Sequence, residues 1–143
     1  MKQVYEVNVY EDGTQQWFQN GKLHRLDGPA VIYSDGDQFW FKNGEPHRTD
    51  GPAAIRSYGD KTWLQNSRYH RIDGPAIVCT DGYEAWCKDG KRHRLDGPAV
   101  IFPNGDKEWW IEGKNLSQSH FEERSKPCKG KKVVVDGVEY TLS

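Results

Sequence analysis

"HRLDGPAVIYSDGDQFWFKNG", His24–Gly44, decides how the chain is read, because nearly the same words return at a fixed interval. Gly13, Gly36, Gly59, Gly82 and Gly105 lie 23 residues apart, and Trp17, Trp40, Trp63, Trp86 and Trp109 keep that step. So do His24, His47, His70 and His93, each followed by an arginine: Arg25, Arg48, Arg71 and Arg94. Asp27, Asp50, Asp73 and Asp96 each open a Gly-Pro-Ala triplet. The fifth copy keeps Trp109 and Gly113 but lacks the His-Arg-x-Asp-Gly-Pro half. A constant period of this length marks a repeat architecture, in which each unit buries its apolar face only against its neighbours.

The unit reads as a β-hairpin. In "AVIYS-DG-DQFWF" two runs rich in β-branched and aromatic residues flank Asp35-Gly36, a pair suited to a two-residue turn with positive φ at both positions. Asp12-Gly13, Asp81-Gly82 and Asn104-Gly105 are equivalent, and Tyr58-Gly59 is the odd one out. Such a turn sets Val31 opposite Trp40 and Ile32 opposite Phe39. One face then carries Val31, Tyr33 and Trp40, and the other Ala30, Ile32, Phe39 and Phe41. Neither is cleanly polar, so one face is expected to lie under the loops or a partner and the other to form a shallow apolar strip. "NGKLHRLDGP" reads as the polar link to the next hairpin. Pro29, Pro52, Pro75 and Pro98 sit at strand starts, where a missing N–H is tolerated.

At the N-terminus residues 3–10 read as an edge strand. Near the C-terminus Ser119 precedes Glu122 by three positions, a capping-box pattern that predicts a short helix over about 119–125. "KKVVVDGVEYTL" then supplies a sixth hairpin around Asp136-Gly137, and helix plus hairpin would cap the array. The expected fold is all-β: six hairpins in one elongated, twisted antiparallel sheet, forming a single domain over 1–143. The repeats occupy about 4–113, and the helix and capping hairpin about 114–143.

The pattern W-x-x-(N/D)-G-K-x-H-R-x-x-G-P-A resembles the MORN-type repeat, closest to the variant found in bacteria and bacteriophages. The resemblance covers roughly residues 4–113, and "NLSQSHFEER" also resembles the ending of such proteins. It implies successive antiparallel hairpins and a role in scaffolding, dimerisation, or lipid or protein binding. Some bacterial variants are described as antitoxins, and phage members would suit inhibition of host proteins. Arg and Asp-Gly-Pro replace the Gly-x-Gly of the commoner repeat, which argues against its lipid binding here.

Composition narrows the classes further. Of 143 residues 35% are hydrophobic and 29% charged, with a net charge of −1. Acids and bases balance and an Asp accompanies every repeat Arg, so no basic field draws nucleic acid. The basic stretch "ERSKPCKGKK" reads as a solvated loop. The opening MKQVYEVNVY has no apolar core of signal-peptide length, and no stretch approaches a membrane span. Three cysteines (Cys79, Cys87, Cys128) without a CxxC pattern suit a reducing compartment. A cytoplasmic protein that does not insert in membranes is expected.

His-Arg-x-Asp offers a base, a cation and a carboxylate, yet an enzyme needs one special site and here four copies are nearly alike. The expected role is to brace a loop. Successive histidines lie about 10 Å apart by strand spacing, too far to share a metal ion. Cys79 and Cys87 fall on opposite faces of the expected hairpin, so no metal site, cofactor or catalytic residue is predicted. The tryptophan column (Trp17, Trp40, Trp63, Trp86, Trp109) is core or, where exposed, a binding face. Tyr10, Tyr33, Arg56, Cys79 and Phe102 occupy one repeat position on its expected side and differ from copy to copy, which is where specificity would be written.

The function expected is therefore a non-enzymatic protein-binding module, by resemblance an antitoxin, an immunity factor or a phage-encoded inhibitor of a host or toxin protein. The alternative is capture of a small anionic ligand, a nucleotide or lipid head group, by the columns His24/Arg25, His47/Arg48, His70/Arg71 and His93/Arg94. An enzyme is the weakest reading. Open sheet edges leave room for a homodimer.

Overall fold

A computed structural model describes residues 2, 4–125 and 132–141. Among the described residues the fold is all-β with one short helix, Gln118–Ser125. Each full repeat contributes two short strands to a twelve-stranded antiparallel sheet, such as Val31–Ile32 and Gln38–Phe39, followed by Ala54–Ile55 and Lys61–Thr62. The first edge strand is Glu6–Val9, shorter than the expected 3–10, and Lys114–Leu116 ends the sheet.

The pairing register differs by one residue from the sequence expectation. Val31 faces Phe39 and Ile32 faces Gln38. The cause is the turn. The Tyr33 amide donates to the Asp37 carbonyl and the Gly36 amide to the Tyr33 carbonyl, which makes a three-residue loop with Gly36 at φ 96°. Asp35 keeps an ordinary negative φ because its carboxylate accepts the Asp37 amide at 3.0 Å. Asp12, Asp81 and Asn104 accept the amide two residues on in the same way. Asp-Gly here is therefore a right-handed residue followed by a left-handed bulge glycine, not two left-handed residues.

A one-residue slip exchanges the faces. Tyr33 now shares a face with Val31 and Phe39, whose ring it meets edge-on at 5.7 Å. By the same alternation Tyr10, Tyr33, Arg56, Cys79 and Phe102 stand on the side opposite Trp17, Trp40, Trp63, Trp86 and Trp109. Cys79 and Cys87 lie on one face of their hairpin, both as free thiols.

The stretch read as a polar link is itself a second hairpin. Phe41–Lys42 pairs with Glu45–Pro46, Leu64–Gln65 with Arg68–Tyr69, and Cys87–Lys88 with Lys91–Arg92. These ribbons carry the true two-residue turns: Asn43 and Gly44 have φ 50° and 80°, and Asp89 and Gly90 have φ 50° and 80°. Successive ribbons are joined through the backbone, as when the Arg25 amide reaches the Phe41 carbonyl and the Gly44 amide the Leu23 carbonyl. Each repeat is thus a main-sheet hairpin followed, just past its tryptophan, by a ribbon hairpin.

The helix begins one residue earlier than expected, and its cap is Ser117, whose hydroxyl accepts the His120 amide at 3.3 Å. Phe121 buries its ring. The sixth hairpin exists, Lys132–Val135 with Val138–Thr141, and its Asp136-Gly137 turn has positive φ at both residues. It forms its own two-stranded sheet instead of extending the main one. Most of "ERSKPCKGKK", with Cys128, falls outside the described residues.

In the Leu64–Tyr69 ribbon Ser67 holds φ 64° where the other copies have glycine. A left-handed conformation costs an L-residue about 1–2 kcal/mol. Ser67→Gly is expected to stabilise the chain by about 1 kcal/mol, seen as a rise of a few degrees in the midpoint of a thermal melt.

Candidate functional site

The His-Arg-x-Asp-Gly-Pro segments form a row of loops against the tryptophan face. In each, one guanidinium has three partners. Arg25, Arg48, Arg71 and Arg94 donate from Nε to Asp27, Asp50, Asp73 and Asp96 at 2.8–3.0 Å. From Nη1 they donate to the carbonyls of Pro29, Pro52, Pro75 and Pro98 at 3.0–3.1 Å. Their Cζ atoms sit 3.9–4.1 Å from the ring centroids of Trp17, Trp40, Trp63 and Trp86. This stacking contributes roughly 0.5–2 kcal/mol per pair.

The glycine of the motif is explained by the same contact. A Cβ on Gly28, Gly51, Gly74 or Gly97 would come 2.8–2.9 Å from the arginine Cζ, so the guanidinium lies directly against bare backbone. Their φ values are ordinary, so these glycines serve close approach alone.

Each histidine accepts a hydrogen bond from the next ribbon. The amides of Asn43, Asn66, Asp89 and Glu112 donate to Nδ1 of His24, His47, His70 and His93 at 3.0–3.1 Å. Nδ1 is therefore the unprotonated nitrogen of the neutral ring. Between consecutive loops lie shallow clefts, one per repeat, such as that between Arg25–Pro29 and His47–Asp50. The residues that would capture an anion are thus brought together, but each guanidinium is already bonded to a carboxylate. Leu26, Ile72 and Leu95 project from the loop tips.

The opposite face is open and carries what the repeat pattern alone did not single out. A hollow of about 460 Å³ lies over Ala53 and Ala54, walled by Phe39, Phe41, Leu64 and Tyr69, with Arg56 and Tyr58 beside it. Its floor holds a small residue where the other repeats are bulkier: Val31, Ile77 and Val100 occupy the repeat position of Ala54. Arg56 lies over the Phe39 ring, 4.8 Å from its centroid, and pairs with Asp37 at 2.9 Å. Asp37 also accepts the Ser57 amide at 2.7 Å, and Asp60 accepts the Thr80 amide at 2.8 Å. The signal that could have found the hollow is departure from the repeat at Ala54 and Tyr58, beside an aspartate that recurs as Asp37, Asp60 and Asp106. Tyr10 and Tyr33 are about half exposed along the same column, whereas Cys79 and Phe102 are partly covered.

Burial pushes both the Cys79 and Cys87 thiols up, and Asp60 adds to the effect at Cys79. Neither is an activated nucleophile. Among the described residues no three of His, Cys, Asp and Glu converge to hold a metal ion, and no helix is long and apolar enough to cross a membrane. A scan of protein-family models and a search of curated protein sequences both return no match.

Gly74→Ala is expected to push Arg71 off Trp63 and cost about 1–2 kcal/mol, read by chemical denaturation alongside tryptophan emission. Asp50, Asp73 and Asp96 are held below the usual carboxylate range by hydrogen bonds from their arginines and then by the arginine charge. Asp37 and Asp60 are lowered first by the amides of Ser57 and Thr80. A depressed folded value means stability that is present above the ordinary aspartate range and lost as pH falls through it. The stability gap between the wild type and Asp50→Asn should be constant above about pH 5 and shrink below about pH 4, measured by denaturant unfolding across that range.

Proposed function

We propose that this chain is a non-enzymatic protein-binding module whose docking surface is the open face centred on the hollow over Ala54. The observation that carries the reading is the hollow itself, an apolar recess with Arg56 and Tyr58 beside it, over an alanine where the other repeats have valine or isoleucine. A recess of this kind accepts a large apolar side chain of a partner, and aromatic and arginine neighbours are the residues that dominate binding energy at such anchors. The four His-Arg-x-Asp loops supply the opposite face and serve as bracing. The resemblance to bacterial and phage MORN-type repeats extends the proposal to an antitoxin, an immunity factor or an inhibitor of a host protein.

Parallel affinity purification with wild-type, Ala54→Val and Tyr58→Ala baits tests it. Valine fits this position in two other repeats, so Ala54→Val should keep the wild-type melting midpoint while filling the recess. A protein retained by the wild type and lost from both variants is the expected result. Identical retention by all three baits would remove the open face from the proposal.

A further inference from the structure

We propose that the histidine column is a pH-sensitive latch between successive ribbons, opened by protonation at the junctions latched by His24 and His47 and re-closed at the junction latched by His70.

Each ribbon junction has three links. At the second, the Arg48 amide donates to the Leu64 carbonyl, the Ser67 amide to the Pro46 carbonyl, and the Asn66 amide to His47 Nδ1, all at 3.0 Å. The third link differs in kind, because its acceptor titrates. An imidazolium carries a proton on both nitrogens and accepts nothing. Protonation therefore turns the His47–Asn66 bond into two N–H groups facing each other and breaks that link. His24 makes the same bond to Asn43 and is itself buried, with the Tyr5 ring 6.3 Å away.

The junctions are not electrostatically alike. The cleft of His47 holds Lys42 and the Arg25–Asp27 and Arg48–Asp50 pairs, so each carboxylate lining that cleft is already bound to an arginine. In the cleft of His70 the lysine is replaced by Gln65, and the Arg48–Asp50 and Arg71–Asp73 pairs remain. Asp89 Oδ1 lies 3.2 Å from His70 Nδ1. A protonated His70 donates to that carboxylate, so one bond replaces the other and the junction stays shut. His93 is intermediate, with Asp89 and Glu112 balanced by Lys88 and Lys91 around it.

The ribbon wall of the hollow comes from Phe41 and Pro46 on one side of the His47 junction and Leu64 and Tyr69 on the other. Opening that latch would therefore loosen the wall, although the latch itself does not rest on the docking reading.

Amide hydrogen exchange by NMR on the full chain tests the latch. The Arg48 and Ser67 amides report the second junction, and those of Arg71 and Gly90 report the third. Protection is taken relative to an unstructured amide at the same pH. Between pH 7.5 and 5.5 the Arg48 and Ser67 protection is expected to fall about tenfold against that of Arg71 and Gly90. His47→Asn places an amide oxygen near the position of Nδ1 without a titrating group, and in it the fall should vanish. A constant ratio in the wild type overturns the proposal, and so does an undiminished fall in His47→Asn. The wild-type measurement decides by itself if the variant does not fold.

Discussion

Each full repeat turns on a guanidinium pressed between a tryptophan ring and a stretch of backbone with no side chain. The arginine fixes the aspartate two residues on and the proline carbonyl four residues on, which sets the path of the loop. That path delivers the Ala30, Ala53, Ala76 or Ala99 carbonyl to the amide of the tryptophan beneath it. Remove the guanidinium and the loop loses its only charged tie, the indole loses its cover and the next strand loses its guide. The motif that looks like a base, a cation and a carboxylate is an assembly jig.

The period, the hairpin character and the bracing loops were legible in the amino-acid sequence, because spacing and residue type alone carry them. The register was not. Asp35-Gly36 and Asp136-Gly137 are the same dipeptide, yet the first sits in a bulged three-residue loop and the second in a two-residue turn. What separates them is whether the aspartate carboxylate captures the amide two residues on, a choice made by local geometry that the dipeptide does not state. The second hairpin was hidden for a related reason. Lys42, Glu45 and Pro46 read as a polar link, but ribbon strands of two residues need no apolar alternation when their outward side faces water. The hollow was legible only as an irregularity, alanine where a β-branched residue recurs, and its depth depended on the register.

Two kinds of position therefore coexist in the array. Trp40, Arg48, Asp50 and Gly51 recur because each junction poses the same steric problem. Ala54, Arg56 and Tyr58 do not recur, and they gather on the face that the loops leave uncovered. Asp37 is nearly buried, which a carboxylate tolerates only with its partners in place. The Arg56 guanidinium and the Ser57 amide supply them from the next copy, so the least regular part of the surface is also firmly tied.

Every bond that defines a repeat boundary, whether through the backbone, the histidine or the arginine loop, runs from one copy to the next and no further. Array length is consequently a free variable. Inserting or deleting one 23-residue unit would shift the end of the sheet by two strands, about 10 Å, and leave the other junctions unaltered. Ala54, where the other full repeats carry valine or isoleucine, then marks one place along a ruler whose braces are otherwise alike.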